Sequence, residues 1–302
     1  MDVVGALLDG PRARRAFVLK AVFDGTWSLT VEDRAPLTVV VMARGRATFT
    51  GGRGPAEVGA GDVVVVRGPA PYTFADSATT AADIRILPGQ VCVDPDGRLL
   101  ADEMELGVRT WGNSRSADAT VMLIGTYEQE TSVGSLLLSR LPTELVIHDL
   151  DPAFIELFAA EVVGEQPGQA AVLDRLVDLL VVRCARSLLA ESSAGQDALV
   201  EHALRAIEEH PEHPWTVESL AAHVGLSRAA LARRFALRVG EPPLTYLTRW
   251  RLALAADLLV GTDQTLATIA SRVGYANAFA LSAAFKRIHG ESPRDYRRRH
   301  VA

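Results

Sequence analysis

The sequence predicts an α+β protein of two domains, a β-rich front half and an all-helical back half joined by a helical segment. Residues 16–127 hold short β-branched and apolar runs separated by Gly, Pro and Asp. Residues 152–190 switch to helical spacing, and from residue 198 the pattern is wholly helical and repeats itself. At 302 residues, 48% hydrophobic and 23% charged, the chain can bury two cores and is too apolar to be disordered.

The strand candidates are "WSLTV", "LTVVVMA", "RATFT", "DVVVV", "DIRIL" and "ATVMLIGTY", which together predict a barrel or sandwich. A short helical stretch is expected near "VGSLLLSRL", residues 133–141. The next helix opens at Asp151-Pro152, where Asp caps and Pro occupies the first turn. A longer helix over 170–190 carries Leu173, Leu176, Val177, Leu180, Val181, Cys184 and Leu188 at helical spacing, with Val172, Leu179 and Val182 widening the apolar surface. That width fits either packing within its own domain or a dimer interface, for which Leu173, Leu176, Leu180 and Cys184 are the candidates. "ESSAGQD", residues 191–197, reads as the linker. The expected division is 1–150, 151–197 and 198–302.

Within the last segment, Leu220, Ala221, Val224 and Gly225 recur as Ile269, Ala270, Val273 and Gly274, an offset of 49. After one extra residue, Phe235, Gly240, Pro243 and Tyr246 recur as Phe285, Gly290, Pro293 and Tyr296, an offset of 50. Each copy reads helix, glycine-bearing turn, helix. Thr216 and Thr265 cap the first helices, Gly225 and Gly274 take the left-handed turn residue, and Ser227 and Asn277 cap the second helices. This is helix-turn-helix chemistry, in which a short turn sets the second helix across the first so that it can enter a major groove.

Charge agrees with a polyanion partner. The net charge is -6, yet residues 201–302 hold 14 Lys and Arg against 10 Asp and Glu, and from Arg228 onward the balance is 13 against 5. A cationic module is hidden in an acidic chain. Lys286, Arg287, Arg294, Arg297, Arg298 and Arg299 are candidate phosphate ligands. Cys92 and Cys184 lack metal-type spacing and fit a reducing compartment. No signal-peptide pattern or membrane-length apolar run is found, so a soluble cytoplasmic protein is expected. His210 and His213 lie between prolines with no third ligand nearby, "DPDG" (94–97) reads as a turn rather than a calcium loop, and no P-loop, dinucleotide or nucleophile-elbow pattern occurs. No cofactor or metal is expected.

"IASRVGYANAFALSAAFKRIHGESPRDYR" resembles the second helix-turn-helix of the AraC/XylS-type transcriptional regulators, and "LAAHVGLSRAALARRFALRVGEPPLTYLTRWRLALAADLL" resembles the first with its connecting helix. The resemblance covers roughly residues 200–300. It implies a bacterial transcription factor whose two recognition helices enter successive major-groove segments of double-stranded DNA, with RNA polymerase as a candidate further partner, and the wide apolar surface of the 170–190 helix adds the expectation of a homodimer. With Leu231 and Phe235 inward, Arg228, Ala229, Ala232 and Arg233 face out on the first recognition helix. Arg233 leads as base reader, because a guanidinium grips guanine O6 and N7 together. On the second, the resemblance puts Ala278, Phe279, Ser282 and Ala283 outward, suited to shape fit and thymine-methyl contact, with Lys286 and Arg287 on phosphate.

The front half resembles the cupin-like domain that precedes the DNA module in one group of these regulators, on "RGRATFTGG" and "VGAGDVVVVRGPAPYTF". Enzymatic cupins hold a metal with three histidines and a glutamate. This half has no histidine before His148, Tyr72 falls where a later ligand would stand, and without imidazole a transition-metal site is not expected. A metal-dependent cupin enzyme is the alternative from another class, and a domain serving only dimerisation or partner binding is a third. The expectation is a non-enzymatic sensor whose barrel buries a small-molecule effector among Trp27, Tyr72, Phe74, Trp111 and Tyr127.

Overall fold

The computed structural model describes residues 16–127, 132, 133, 136, 142–192 and 197–301. These divide into two compact units. One holds the described residues between Arg12 and Glu130 and between Leu138 and Ser187; the other holds those from Leu188 onward together with Ser132, Val133 and Leu136.

Strand β3 (Leu37–Arg44) shows why the front unit is layered. Its apolar run does not alternate with polar residues because both faces are covered: Val40 and Met42 enter one core, Val39 and Val41 another. Strand β6 (Val63–Arg67) divides the same way, Val64 and Val66 against Val63 and Val65. With β1 (Phe17–Phe23), β10 (Glu105–Gly107), β11 (Thr110–Gly112), β12 (Thr120–Tyr127) and β13 (Glu144–Ile147), they form a seven-stranded sheet in the order β10-β11-β1-β12-β3-β6-β13. The second sheet runs β5 (Gly54–Gly59), β4 (Arg46–Gly51), β7 (Tyr72–Ala75), β2 (Ser28–Val31), β8 (Ile84–Leu87), β9 (Val91–Val93). The first core is shared between the sheets, through Phe23, Trp27, Phe49, Phe74 and Met122. This is the expected cupin-like architecture. The 94–97 segment is a turn, closed by Gly97 N–H on the Asp94 carbonyl.

Strand β13 departs from the sequence expectation, which gave this region only a helix. Ser132, Val133 and Leu136 are helical, and the rest of 133–141 lies outside the described residues. Leu145, Val146 and Ile147 then pair with Val65, Val64 and Val63, so a four-residue strand gains its identity from a neighbour about eighty residues earlier.

The outer face of the seven-stranded sheet is covered by α1 (Pro152–Val163) and α2 (Gln169–Ser192). Asp151 caps α1 by accepting from Ala153 N at 2.9 Å, with Pro152 in the first turn. Leu173, Leu176, Leu180 and Cys184 are all buried in this unit's own core, against Val39, Val41 and Phe158. Of the two readings the sequence left open for this stripe, it takes packing within its own unit, because the sheet behind it is apolar on that side. Among the described side chains of α2, the large apolar ones left exposed are Val172 and Leu179, at 43% and 44%. Gly125 of β12 marks the approach of α2: a Cβ there would stand 2.8 Å from a methyl of Val177.

The second unit is seven further helices among the described residues: α3 (Ala198–Glu209), α4 (Val217–His223), α5 (Arg228–Val239), α6 (Pro243–Gly261), α7 (Leu266–Arg272), α8 (Ala278–His289) and α9 (Pro293–Val301). Of the expected linker, 193–196 lie outside the described residues, while Asp197 caps α3 and binds the Arg234 guanidinium through both carboxylate oxygens. The four caps read from the sequence are observed: Thr216, Ser227, Thr265 and Asn277 each accept a backbone N–H three residues on. Gly274 occupies its turn at φ +80° where a Cβ would also lie 2.7 Å from the Pro211 carbonyl oxygen, so two independent constraints select glycine.

Candidate nucleic-acid interface and ligand cavity

The two recognition helices are built alike. On α5, Leu231 and Phe235 are fully buried; Phe235 lies 6.0 Å from Tyr246, which is 6.3 Å from Trp250. On α8, Leu281 and Phe285 are fully buried, with Phe285 5.2 Å from Tyr296. Those anchors turn the other face outward. Arg228, Ala229 and Arg233 are exposed and Ala232 is half-buried; Phe279 and Ala283 are exposed, Ala278 and Ser282 half-buried. Phe279 is 83% exposed, a large apolar ring with nothing of its own to cover it. Helix α6, 19 residues and about 28 Å long, separates the modules and suits a spacing near the ~34 Å of one DNA turn.

The cations divide into engaged and free. Arg228 pairs with Glu218 at 2.9 Å, Arg238 with Glu201 at 3.3 Å, Arg298 with Asp295 at 3.0 Å and Arg299 with Glu291. These exposed pairs are weak and can be exchanged for phosphate. Arg233, Lys286 and Arg287 form no ion pair among the described residues. Arg297 differs from the sequence expectation: Nε donates to the Leu259 carbonyl at 2.9 Å and Nη2 to those of Gln264 at 2.7 Å and Thr262 at 3.3 Å. It closes the C-terminal end of α6, whose last carbonyls have no helical partner, and is not presented to phosphate. Sequence reasoning assigned it by composition alone. Arg251, likewise missed as structural, donates to the carbonyls of Pro211 and His213.

A cupin family profile matches residues 2–190 and a helix-turn-helix domain profile matches 220–299. The transcriptional regulator AlkR of Acinetobacter baylyi is 30% identical over 314 aligned positions, covering 98% of this chain and 99% of that one. The chain belongs to the AraC-type transcriptional regulators. An AraC-like regulator of Streptomyces lividans is also 30% identical, over 99% of this chain and 98% of its own. The activator RclR of Escherichia coli is 42% identical over 91 positions, 30% of this chain and 32% of that one.

In this AraC-type regulator the connecting helix α6 carries one more polar feature. The Asp257 carboxylate accepts from Ser132 N at 2.8 Å and Val133 N at 3.0 Å, and Val133 is buried. Burial without a cationic partner pushes the Asp257 carboxyl up to about 6, opposed by those N–H bonds.

The cupin-like unit of the regulator forms a partly open cavity of about 190 Å³ between its sheets. Tyr72, Phe74 and Trp111, three of the five aromatic candidates, line it. Trp27 is not on its wall; it is buried with its ring stacked 4.7 Å from Phe23. Tyr127 is also elsewhere, donating its hydroxyl to Asp178 at 3.0 Å on the α2 side of the sheet. Sequence reasoning missed Asp33, Gln90 and Cys92 on the wall. Gln90 donates to one Asp33 oxygen at 3.0 Å and the Ala35 N–H to the other at 3.0 Å. Burial raises the Tyr72 hydroxyl far above its ordinary range and the Cys92 thiol to about 11, so both stay neutral at physiological pH. The Trp111 indole N–H has no acceptor among the described residues. No histidine stands on the wall, so a metal held by a histidine-rich set does not fit these residues.

Proposed function

We propose that this regulator reads its operator chiefly through α5, with Arg233 on a base edge, and grips it through α8, with Phe279 against thymine methyl groups and Lys286 and Arg287 on phosphate. The observation that carries this division is the contrast between the two outward faces. Both are set by equivalent buried anchors, yet α5 offers an exposed guanidinium without an ion pair where α8 offers Ala283. Selection of bound fragments from random DNA by the full chain tests it. One recurring motif with a guanine that loses its preference in Arg233→Ala is expected; a motif unchanged by that substitution overturns it.

The front unit acts as a non-enzymatic sensor that buries a small-molecule effector in the inter-sheet cavity, beside Tyr72, Phe74 and Trp111. A largely apolar wall with few polar groups suits binding: burial keeps Cys92 as the thiol, both Asp33 oxygens already accept hydrogen bonds, and no histidine stands among the lining residues. Two copies of the chain pair through the exposed Val172 and Leu179 side of α2 rather than through the buried stripe. Sedimentation of the wild type and Leu179→Glu checks this: a dimer that the charge dissociates supports it, and a monomeric wild type at micromolar concentration refutes it.

A further inference from the structure

We infer that the effector is a neutral, largely apolar small molecule of about the size of a substituted benzene, and that anions and sugars are excluded. The inference rests on the sensing role proposed above and adds the chemistry of the ligand.

Size comes first. The cavity, at about 190 Å³, exceeds the ~150 Å³ engineered cavity that binds benzene, so one ring with a small substituent fills it. Charge decides the class. Among the lining residues there is no Lys, Arg or His, and Asp33 is the single acid. Tyr72 and Cys92 are held neutral by burial, so neither adds nor relieves charge at physiological pH. A ligand carboxylate or phosphate would lose its hydration inside this wall, meet no cation, and face the Asp33 carboxylate. Both oxygens of that carboxylate already accept hydrogen bonds, from Gln90 and the Ala35 N–H. The rest of the wall is mostly hydrocarbon and aromatic, including Leu29, Phe74, Ile86, Met122 and Ile124. Its further polar groups are Thr126, the Tyr72 hydroxyl and the Trp111 N–H, unpaired among the described residues, which suits one neutral acceptor on the ligand. A sugar carries several hydroxyl groups, each needing a partner, and the few polar groups of this wall, with the Asp33 oxygens already engaged, are too few to match them.

The test uses the full-length protein and three probes of similar size: nitrobenzene, its shape-matched anion benzoate, and a neutral pentose. Binding is followed by thermal shift and by titration. Nitrobenzene should raise the melting temperature in proportion to its occupancy, and benzoate and the pentose should bind at least tenfold more weakly. The site is assigned with Ala101→Trp, at an exposed rim position where a larger side chain closes the cavity without entering the core, and with Ile124→Phe, which fills it. Each should reduce nitrobenzene binding at least tenfold. Ala101→Trp should leave the ligand-free melting temperature unchanged. Benzoate or pentose binding that these variants abolish, without nitrobenzene binding, overturns the ligand class while leaving the sensing role intact. Nitrobenzene binding unaffected by both variants, or no binding by any probe, overturns the cavity as the sensing site and the class with it.

Discussion

Replacing Arg297 with Ala removes the guanidinium that closes the end of α6. Three hydrogen bonds go, of which those to Leu259 at 2.9 Å and Gln264 at 2.7 Å are well formed and the third, to Thr262 at 3.3 Å, is longer. Hydrogen bonds from a charged donor contribute about 1.5–3 kcal/mol each when buried, and Arg297 is only half-buried, so water can replace part of them. A loss of about 2 kcal/mol follows, which in a domain of this size lowers its melting temperature by roughly 10 °C. Calorimetry of the full chain should show that drop in the helical unit's transition and not in the front unit's. In the same variant, the slope of log K against log salt for DNA binding should be unchanged below the melting point, because no phosphate ligand is removed. An unchanged melting temperature together with a slope reduced by about 0.9 would refute the reasoning and return Arg297 to the phosphate ligands.

Three further outcomes are expected. Phe285→Ala, at a fully buried ring packed on Tyr296, should cost about 3–5 kcal/mol and abolish specific DNA binding while ligand binding in the front unit persists. Gly125→Val puts carbon where Val177 already stands, so α2 must shift; a loss of about 1–3 kcal/mol in the front unit is expected, and Gly125→Ala should cost less. Asp257 gives a pH signature. Its carboxyl holds a proton more tightly folded, up to about 6, than unfolded at 3.8. Its contribution is therefore fully present below about pH 4 and is lost as pH rises to about 6, at most about 3 kcal/mol. Denaturation of the helical unit across that range should show this fall, and Asp257→Asn should flatten it.

Local rules made the helical half legible. Thr216, Ser227, Thr265 and Asn277 announce helix starts by side chains that reach only three residues onward, and Gly225 and Gly274 both take the left-handed angle of their turns, so a linear reading finds them. The outward face of α5 followed from its own periodicity, and that of α8 from the resemblance to the family. What failed depends on partners far along the chain. Leu173 and Leu180 could not be told from a dimer face until the Val39 and Val41 side of β3 was seen to need a cover. Strand β13 exists because β6 has an open edge. Arg297 looks like its basic neighbours until the carbonyls at the end of α6 and just beyond it, more than thirty residues earlier, are placed beneath it. The cavity wall gathers Asp33, Tyr72, Gln90 and Trp111 from separate strands and loops, and no spacing encodes that set.

The division between reading and gripping is tested most directly by paired salt titrations, on the selected operator and on scrambled DNA, for Arg233→Ala and for the Lys286→Ala/Arg287→Ala double variant. Arg233→Ala should lose about 1–3 kcal/mol on the operator, with base preference relaxed at one position and little change on scrambled DNA. The double variant should weaken both DNAs alike and reduce the magnitude of the log-log slope by roughly one for each phosphate no longer neutralised. If instead Arg233→Ala leaves base preference intact while the double variant changes it, the roles of α5 and α8 are reversed.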